Sequence, residues 1–293
     1  MVTHERLSWQ CDGHDLTIGL DRAGTGPRLL LLPAFSSIST RGELRPLQDL
    51  LENDFDTLCI DWPGFGTLPK PKVDWRPEVY DRFLTYLLEE VIPDPFAIIA
   101  AGHASGYVLR YLSSHPQLKT RLVLLSPTWR GPLPTMMNGQ RGFFRRVVNA
   151  IDLPLLGGLL YRLNVNRPVV GMMARGHVYA DKAWLSGPRL QEKMAVTRTA
   201  GARHASARFV CGQIDPFPSR EKQFEAIAPL TLPILNLFSL DAPRKSRLEM
   251  QALSQRHGVT SKTMARGKLS FYEEFPQETA DAILPFLTSD TVS

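Results

Sequence analysis

Residues 96–112 read FAIIAAGHASGYVLRYL, and this stretch decides the fold. Its apolar first half predicts a buried strand, Gly102 and Gly106 predict a tight turn, and Tyr107 to about Ser114 predicts a helix. The residue midway between the two glycines is expected at the apex of such a turn. That residue is Ala104.

Similar apolar runs recur along the chain. Further buried strands are predicted at residues 28–33, 56–61, 121–127, 233–238 and, more weakly, 259–264. Helical patterns at 77–91 and 276–287 alternate with these strands, whereas 207–215 fits either a helix or a strand. This alternation predicts an α/β protein with a doubly wound, mostly parallel sheet.

The alternation breaks after Thr128. From there to about Ala200 the pattern is helical and rich in Gly, Pro, Met and Arg, which indicates an inserted helical cap. We therefore predict a cap at residues 129–200 and a core formed by residues 1–128 and 201–293.

The composition of the chain indicates which general type of protein it is. With 43% hydrophobic and 22% charged residues, the chain is typical of a soluble globular protein. The three cysteines are widely spaced, which predicts free thiols and a cytoplasmic location. The sequence shows no signal peptide, no apolar run of membrane-spanning length, no metal-ligand spacing and no phosphate-binding glycine loop. We therefore expect no metal and no cofactor.

The positive charge is concentrated in the predicted cap. Between Arg130 and Arg175 lie seven arginines, no lysine and one acid, Asp152. A solvated helical face is the simplest interpretation, and peripheral contact with anionic lipid is the functional one. Nucleic acid is disfavoured, because the residues between the arginines are apolar and no binding module is present.

Three motifs occur in order: DWPGFG at residues 61–66, GHASG at 102–106 and EEFP at 273–276. In this order and at these separations, the chain resembles the α/β-hydrolase superfamily from about residue 28 to 288. The resemblance implies a nucleophile, an acid and a histidine, in that chain order, together with backbone donors that stabilise an oxyanion.

The nucleophile expected from the resemblance is replaced by Ala104. Ser105 is the nearest hydroxyl, but it lies one residue further on, where the chain enters the helix. Its side chain should therefore point about a quarter-turn away from the apex.

The acid and the histidine also depart from the pattern. The acid is expected after the strand at 233–238, where Asp241 lies one residue off, and Asp215 is a second candidate. The histidine position holds Lys268 or Leu269, depending on the alignment. A lysine acts as a base only where burial lowers its pKa by several units.

These departures favour a non-hydrolytic protein that binds a small apolar or acidic ligand, or a partner, under its cap. The residues expected to line that site are Phe35, Ser36, His103, Ala104, Ser105, Trp129 and Arg130. The alternative is a hydrolase or lyase with a rearranged site, in which Ser105 acts with Asp241 or Asp215 and with Lys268. The sequence does not indicate an oligomeric state.

Overall fold

The structure is a computed structural model that describes residues 2–289. Its strands are β1 (Thr3–Cys11), β2 (His14–Ala23), β3 (Arg28–Leu32), β4 (Asp56–Ile60), β5 (Ala97–Ala101), β6 (Arg121–Leu125), β7 (Ile234–Ser239) and β8 (Val259–Met264). They form one sheet in the order β1-β2-β4-β3-β5-β6-β7-β8. Strand β2 is antiparallel to β1 and β4, and the other neighbours are parallel. The predicted mostly parallel α/β fold is confirmed.

Helices connect these strands on both faces of the sheet. They are α1 (Arg45–Leu51), α2 (Pro77–Tyr86), α3 (Ala104–Ser114), α4 (Pro132–Met136), α5 (Gly142–Asp152), α6 (Leu156–Asn164), α7 (Arg167–Met173), α8 (Gly187–Arg198), α9 (Ala202–Val210), α10 (Arg220–Ile227), α11 (Arg244–Ser254), α12 (Phe271–Glu274) and α13 (Pro276–Thr288). A 3₁₀ turn (Arg41–Leu44) precedes α1, and π turns follow α2 (Leu87–Val91) and α7 (Ala174–Val178).

Strand β3 shows why the apolar runs are continuous. Leu29 and Leu31 belong to one buried cluster, while Leu30 and Leu32 belong to another. Successive side chains of a strand point to opposite faces, so a sheet covered on both faces needs apolar residues at every position.

The first hairpin is absent from the sequence-based prediction, although its signal is present. Asp12 and Gly13 both have positive φ, +47° and +78°, at the turn between β1 and β2. This is the backbone that a two-residue hairpin turn requires, and Asp-Gly is one of its preferred sequences. Leu16, Ile18 and Leu20 then follow at every second position along β2, with their side chains in the core.

The inserted helices lie between β6 and β7. Helix α9, which begins after residue 200, packs against α4, α5, α6 and α8 as well, whereas α10 packs against α3. The helical layer thus continues past residue 200 by one helix, and the cap boundary at that residue stays a prediction. Within residues 2–289, no helix combines the length and apolar character needed to cross a bilayer.

Candidate functional site

The turn between β5 and α3 has its apex at Gly102. Gly102 directly follows β5 and has φ +53°, while Ala104 is already the first residue of α3 and is fully buried. The expectation that Ala104 stands at the apex is therefore wrong by two residues. The sequence allowed both registers, because Ala100 and Ala104 flank Gly102 at the same spacing at which Gly102 and Gly106 flank Ala104.

The left-handed backbone conformation at the apex explains why glycine occupies this position. Residues with a Cβ rarely adopt this conformation, whereas glycine adopts it freely. A Cβ added at Gly102 would lie 3.0 Å from the Cβ of Ala34, in the loop after β3. The position that faces this loop thus carries no side chain at all.

Ser105 faces the sheet rather than the apex. Its side chain is fully buried, and its Oγ donates a hydrogen bond to the Ala100 carbonyl oxygen at 3.0 Å. In this arrangement the hydroxyl forms a hydrogen bond with a carbonyl oxygen at the end of β5, and it is not accessible to a substrate.

His103 is held neutral between aromatic rings. Its ring makes edge contacts with Phe35 and Phe209, with centroids 5.5 and 5.2 Å away. Nε2 lies 3.1 Å from the Ile214 carbonyl oxygen, and because a carbonyl only accepts, this nitrogen carries the hydrogen. Burial lowers the pKa of His103 to about 4, since the charged imidazolium is not solvated there.

Asp215 is the candidate acid that the structure brings close to the turn. Its Oδ1 lies 3.4 Å from His103 Nε2 and accepts a hydrogen bond from the Gly131 amide at 2.9 Å. Burial raises the pKa of Asp215 to about 7, against the opposing effects of this hydrogen bond and of the Arg130 charge. Asp241, by contrast, is exposed in the loop after β7.

Lys268 occupies the loop after β8, where the resemblance calls for histidine. Its Nζ donates to the carbonyl oxygens of Arg175 at 2.6 Å and Gly176 at 3.3 Å, in the π turn after α7. The next two residues continue the attachment, since the amides of Leu269 and Ser270 donate to backbone carbonyls of residues 177 and 178. This loop therefore serves to dock the insertion.

Comparison with known proteins places the chain in a family. Residues 29–282 match the model of the alpha/beta hydrolase family. The chain belongs to this family. Among curated proteins, no relative matches the sequence.

Several solved structures share the fold over almost the whole chain. Cfl2 from Burkholderia cenocepacia is 20% identical, with a TM-score of 0.73 and coverage of 98% of this chain and 96% of that one. A thermophilic esterase from Thermogutta terrifontis is 15% identical, with a TM-score of 0.71 and coverage of 97% and 98%. A bromoperoxidase from Bacillus anthracis is 14% identical, with a TM-score of 0.71 and coverage of 97% and 100%. At these identities the likeness concerns the fold alone.

A buried ion cluster fastens the insertion of this alpha/beta hydrolase to its core. Lys193 of α8 places its Nζ 3.0 Å from Glu273 Oε1 and 3.7 Å from Glu43 Oε2. Glu43 Oε1 also accepts hydrogen bonds from the Ala34 amide at 2.8 Å and the Tyr272 hydroxyl at 3.2 Å. The cluster therefore joins the loop after β3, the segment before α13 and helix α8.

Burial and the neighbouring charges together set the pKa values of this cluster. Burial raises the pKa of Glu43 to about 7, although Lys193 acts in the opposite direction. The pKa of Lys193 is raised, because Glu273 and Glu43 more than offset the effect of its burial. Sequence analysis assigned this role to none of the three residues, although Glu273 begins the EEFP motif, because only the fold brings them together.

The side chains expected to line one ligand site lie in two separate regions of the structure. Phe35 is buried among Trp62, Phe65 and Tyr80, and the Ser36 hydroxyl accepts from the Ile38 amide.

Trp129 and Arg130 lie in the second of these two regions, where they line a small pocket. The pocket has a volume of about 10 Å³, which is room for roughly one water molecule. There Trp129 Nε1 donates to Glu249 at 3.2 Å, and Arg130 approaches the same carboxylate at 3.8 Å. Within residues 2–289, no group of three or more His, Cys, Asp and Glu side chains could hold a metal ion.

Proposed function

We propose that this protein is a non-hydrolytic member of the alpha/beta hydrolase family, which keeps the fold as a binding scaffold. The observation that carries the proposal is Gly102 at the apex of the turn after β5. Covalent acyl transfer on this fold begins with attack by a side-chain nucleophile at that apex, and glycine has no side chain to attack with.

The remaining parts of the site support the same function. No imidazole follows β8, and Lys268 is engaged by two carbonyl oxygens of the insertion. His103, which lies beside the turn, is buried, so it has no access to a substrate. Removing even one member of a catalytic triad costs several orders of magnitude in rate.

The same geometry favours one kind of binding partner over another. Phe35 stacks on Phe209 of α9, and Lys268 donates to the Arg175 carbonyl oxygen of the insertion, so both residues pack the core directly against neighbouring helices. This packing favours a partner bound on the outer surface over a small apolar or acidic ligand held under the cap.

The alternative is a hydrolase or lyase with a rearranged site built on Ser105, Asp215 or Asp241, and Lys268. The Ser105 hydroxyl disfavours it, because it is buried and donates to Ala100. A base near Ser105 would have to displace this hydrogen bond before it could activate the oxygen.

Treatment with a fluorophosphonate probe distinguishes the two functions. We expect wild-type protein to remain unlabelled, and to hydrolyse simple esters at least roughly 10⁴-fold more slowly than an active serine esterase tested in parallel. The matched variant is Ser105→Ala, which we expect to behave as wild type. Labelling of the wild type that disappears in this variant would contradict the proposal and establish the rearranged site.

A further inference from the structure

Most of the exposed large apolar side chains lie in one segment of the insertion. Of the eleven found in residues 2–289, nine lie between residues 136 and 172: Met136, Met137, Phe143, Leu153, Leu155, Leu156, Leu159, Leu163 and Met172. Single exposed apolar residues are ordinary, but such a concentration marks an interaction surface.

The leucines project from the hairpin of α5 and α6. At its tip Leu155 is 93% exposed and has φ +58°, a backbone conformation that is unfavourable for leucine. Leu156, Leu159 and Leu163 follow at helical spacing on the outer face of α6, while Tyr161 on the opposite face is buried. The hairpin thus presents a row of leucines to solvent, which we call the leucine edge: Leu155, Leu156, Leu159 and Leu163.

The two helices that carry this edge also carry exposed positive charge. Arg145 and Arg146 of α5 and Arg162 of α6 are exposed. The one acid between residues 130 and 175, Asp152, does not neutralise them, because it pairs with Arg208 at 2.7 Å and with His204 at 2.6 Å.

We propose that the α5–α6 hairpin docks on the surface of a membrane containing anionic lipid. The tip leucines enter the apolar part of the interface, and the flanking arginines contact the phosphate groups. A second copy of this chain fits less well, because a symmetric interface would oppose two arginine-rich faces of the same sign. This surface lies outside the turn at Gly102, so the proposal does not depend on the absence of catalysis.

Co-sedimentation of the full chain with vesicles tests the leucine edge. We expect binding to vesicles of phosphatidylcholine and phosphatidylserine, and much weaker binding to phosphatidylcholine alone. The variant Leu155→Asp/Leu159→Asp should lower the affinity by at least roughly tenfold, because it replaces inserted apolar area with charge. The matched control is Leu248→Asp, which changes a leucine that is 49% exposed on α11 and should bind as wild type.

The arginines are tested separately. Arg145→Glu/Arg146→Glu should abolish the preference for phosphatidylserine, and added salt should weaken wild-type binding. The proposal is overturned if wild-type protein binds neither vesicle, binds both equally, or binds as well when Leu155 and Leu159 are replaced. It is also overturned if those replacements dissolve a wild-type dimer that does not bind vesicles, because the surface then serves self-association. Thermal unfolding of each variant checks that the fold is intact.

Discussion

Replacing Lys193 by methionine should lower the free energy of unfolding by about 3–5 kcal/mol at neutral pH. The substitution keeps most of the side-chain volume but removes the cation that Glu43 and Glu273 share. A buried carboxylate left without its partner is strongly destabilising, because its desolvation is no longer compensated. The loss should be smaller at pH 5, since Glu43, with a pKa of about 7, is then protonated and carries no charge.

Chemical unfolding at pH 7.5 and pH 5 measures this effect. The control is Lys222→Met, which breaks a pair with Glu225 in which both side chains are more than half exposed, and which should change stability by less than about 0.5 kcal/mol. Adding Glu43→Gln to Lys193→Met should restore part of the loss at pH 7.5, because the amide carries no charge. Equal losses for the two lysine variants would contradict the importance of the buried cluster.

Replacing Asp215 by asparagine should make the protein more stable at high pH and leave it almost unchanged at low pH. The pKa of Asp215 is raised from 3.8 to about 7 in the folded protein, so the folded state binds a proton more tightly than the unfolded state. Wild-type stability therefore falls as pH rises between these two values, by up to about 4 kcal/mol for a shift of this size. Asparagine cannot ionise and keeps an oxygen for the Gly131 amide.

The difference in unfolding free energy between Asp215→Asn and wild type, measured from pH 4 to pH 8.5, isolates this contribution. His103 contributes in the opposite direction: its pKa is lowered to about 4, so its neutral folded form is favoured as pH rises. The exposed Asp241→Asn is the matched control and should change stability by less than about 0.5 kcal/mol. A difference that does not grow with pH would show that Asp215 is ionised in the folded protein.

Local regularities of the sequence were enough to predict much of this fold. The strand from Ala97 to Ala101 and the helix after it follow from an apolar run, a glycine-rich turn and helical periodicity. Resemblance in three motifs added the family, which the match over residues 29–282 confirmed. The hairpin of β1 and β2 was missed although Asp12-Gly13 encodes its turn, because its strands carry apolar residues only at every second position and lack the continuous apolar runs of the central strands.

The functional site was harder to predict, since two registers of the turn satisfied the same spacing of small residues. Only the backbone distinguishes them, because φ is positive at Gly102 and helical geometry begins at Ala104. Candidate acids could not be ranked from the sequence either. Asp215 lies 112 residues after His103 in the chain, yet its carboxylate lies 3.4 Å from the His103 ring, because Phe209 of the preceding helix α9 packs on that ring.

The sequence by itself determined the alternation of the parallel strands β3–β8 with helices, the missing imidazole after β8 and the concentration of arginines in the insertion, because each depends on neighbouring residues in the chain. The tertiary structure alone decided which residue occupies the apex, which carboxyls become protonated near neutral pH and which cation holds the insertion on the core. These properties depend on burial and on distances between remote segments. Glu43, Lys193 and Glu273 lie far apart in the chain, and no local pattern records that they meet.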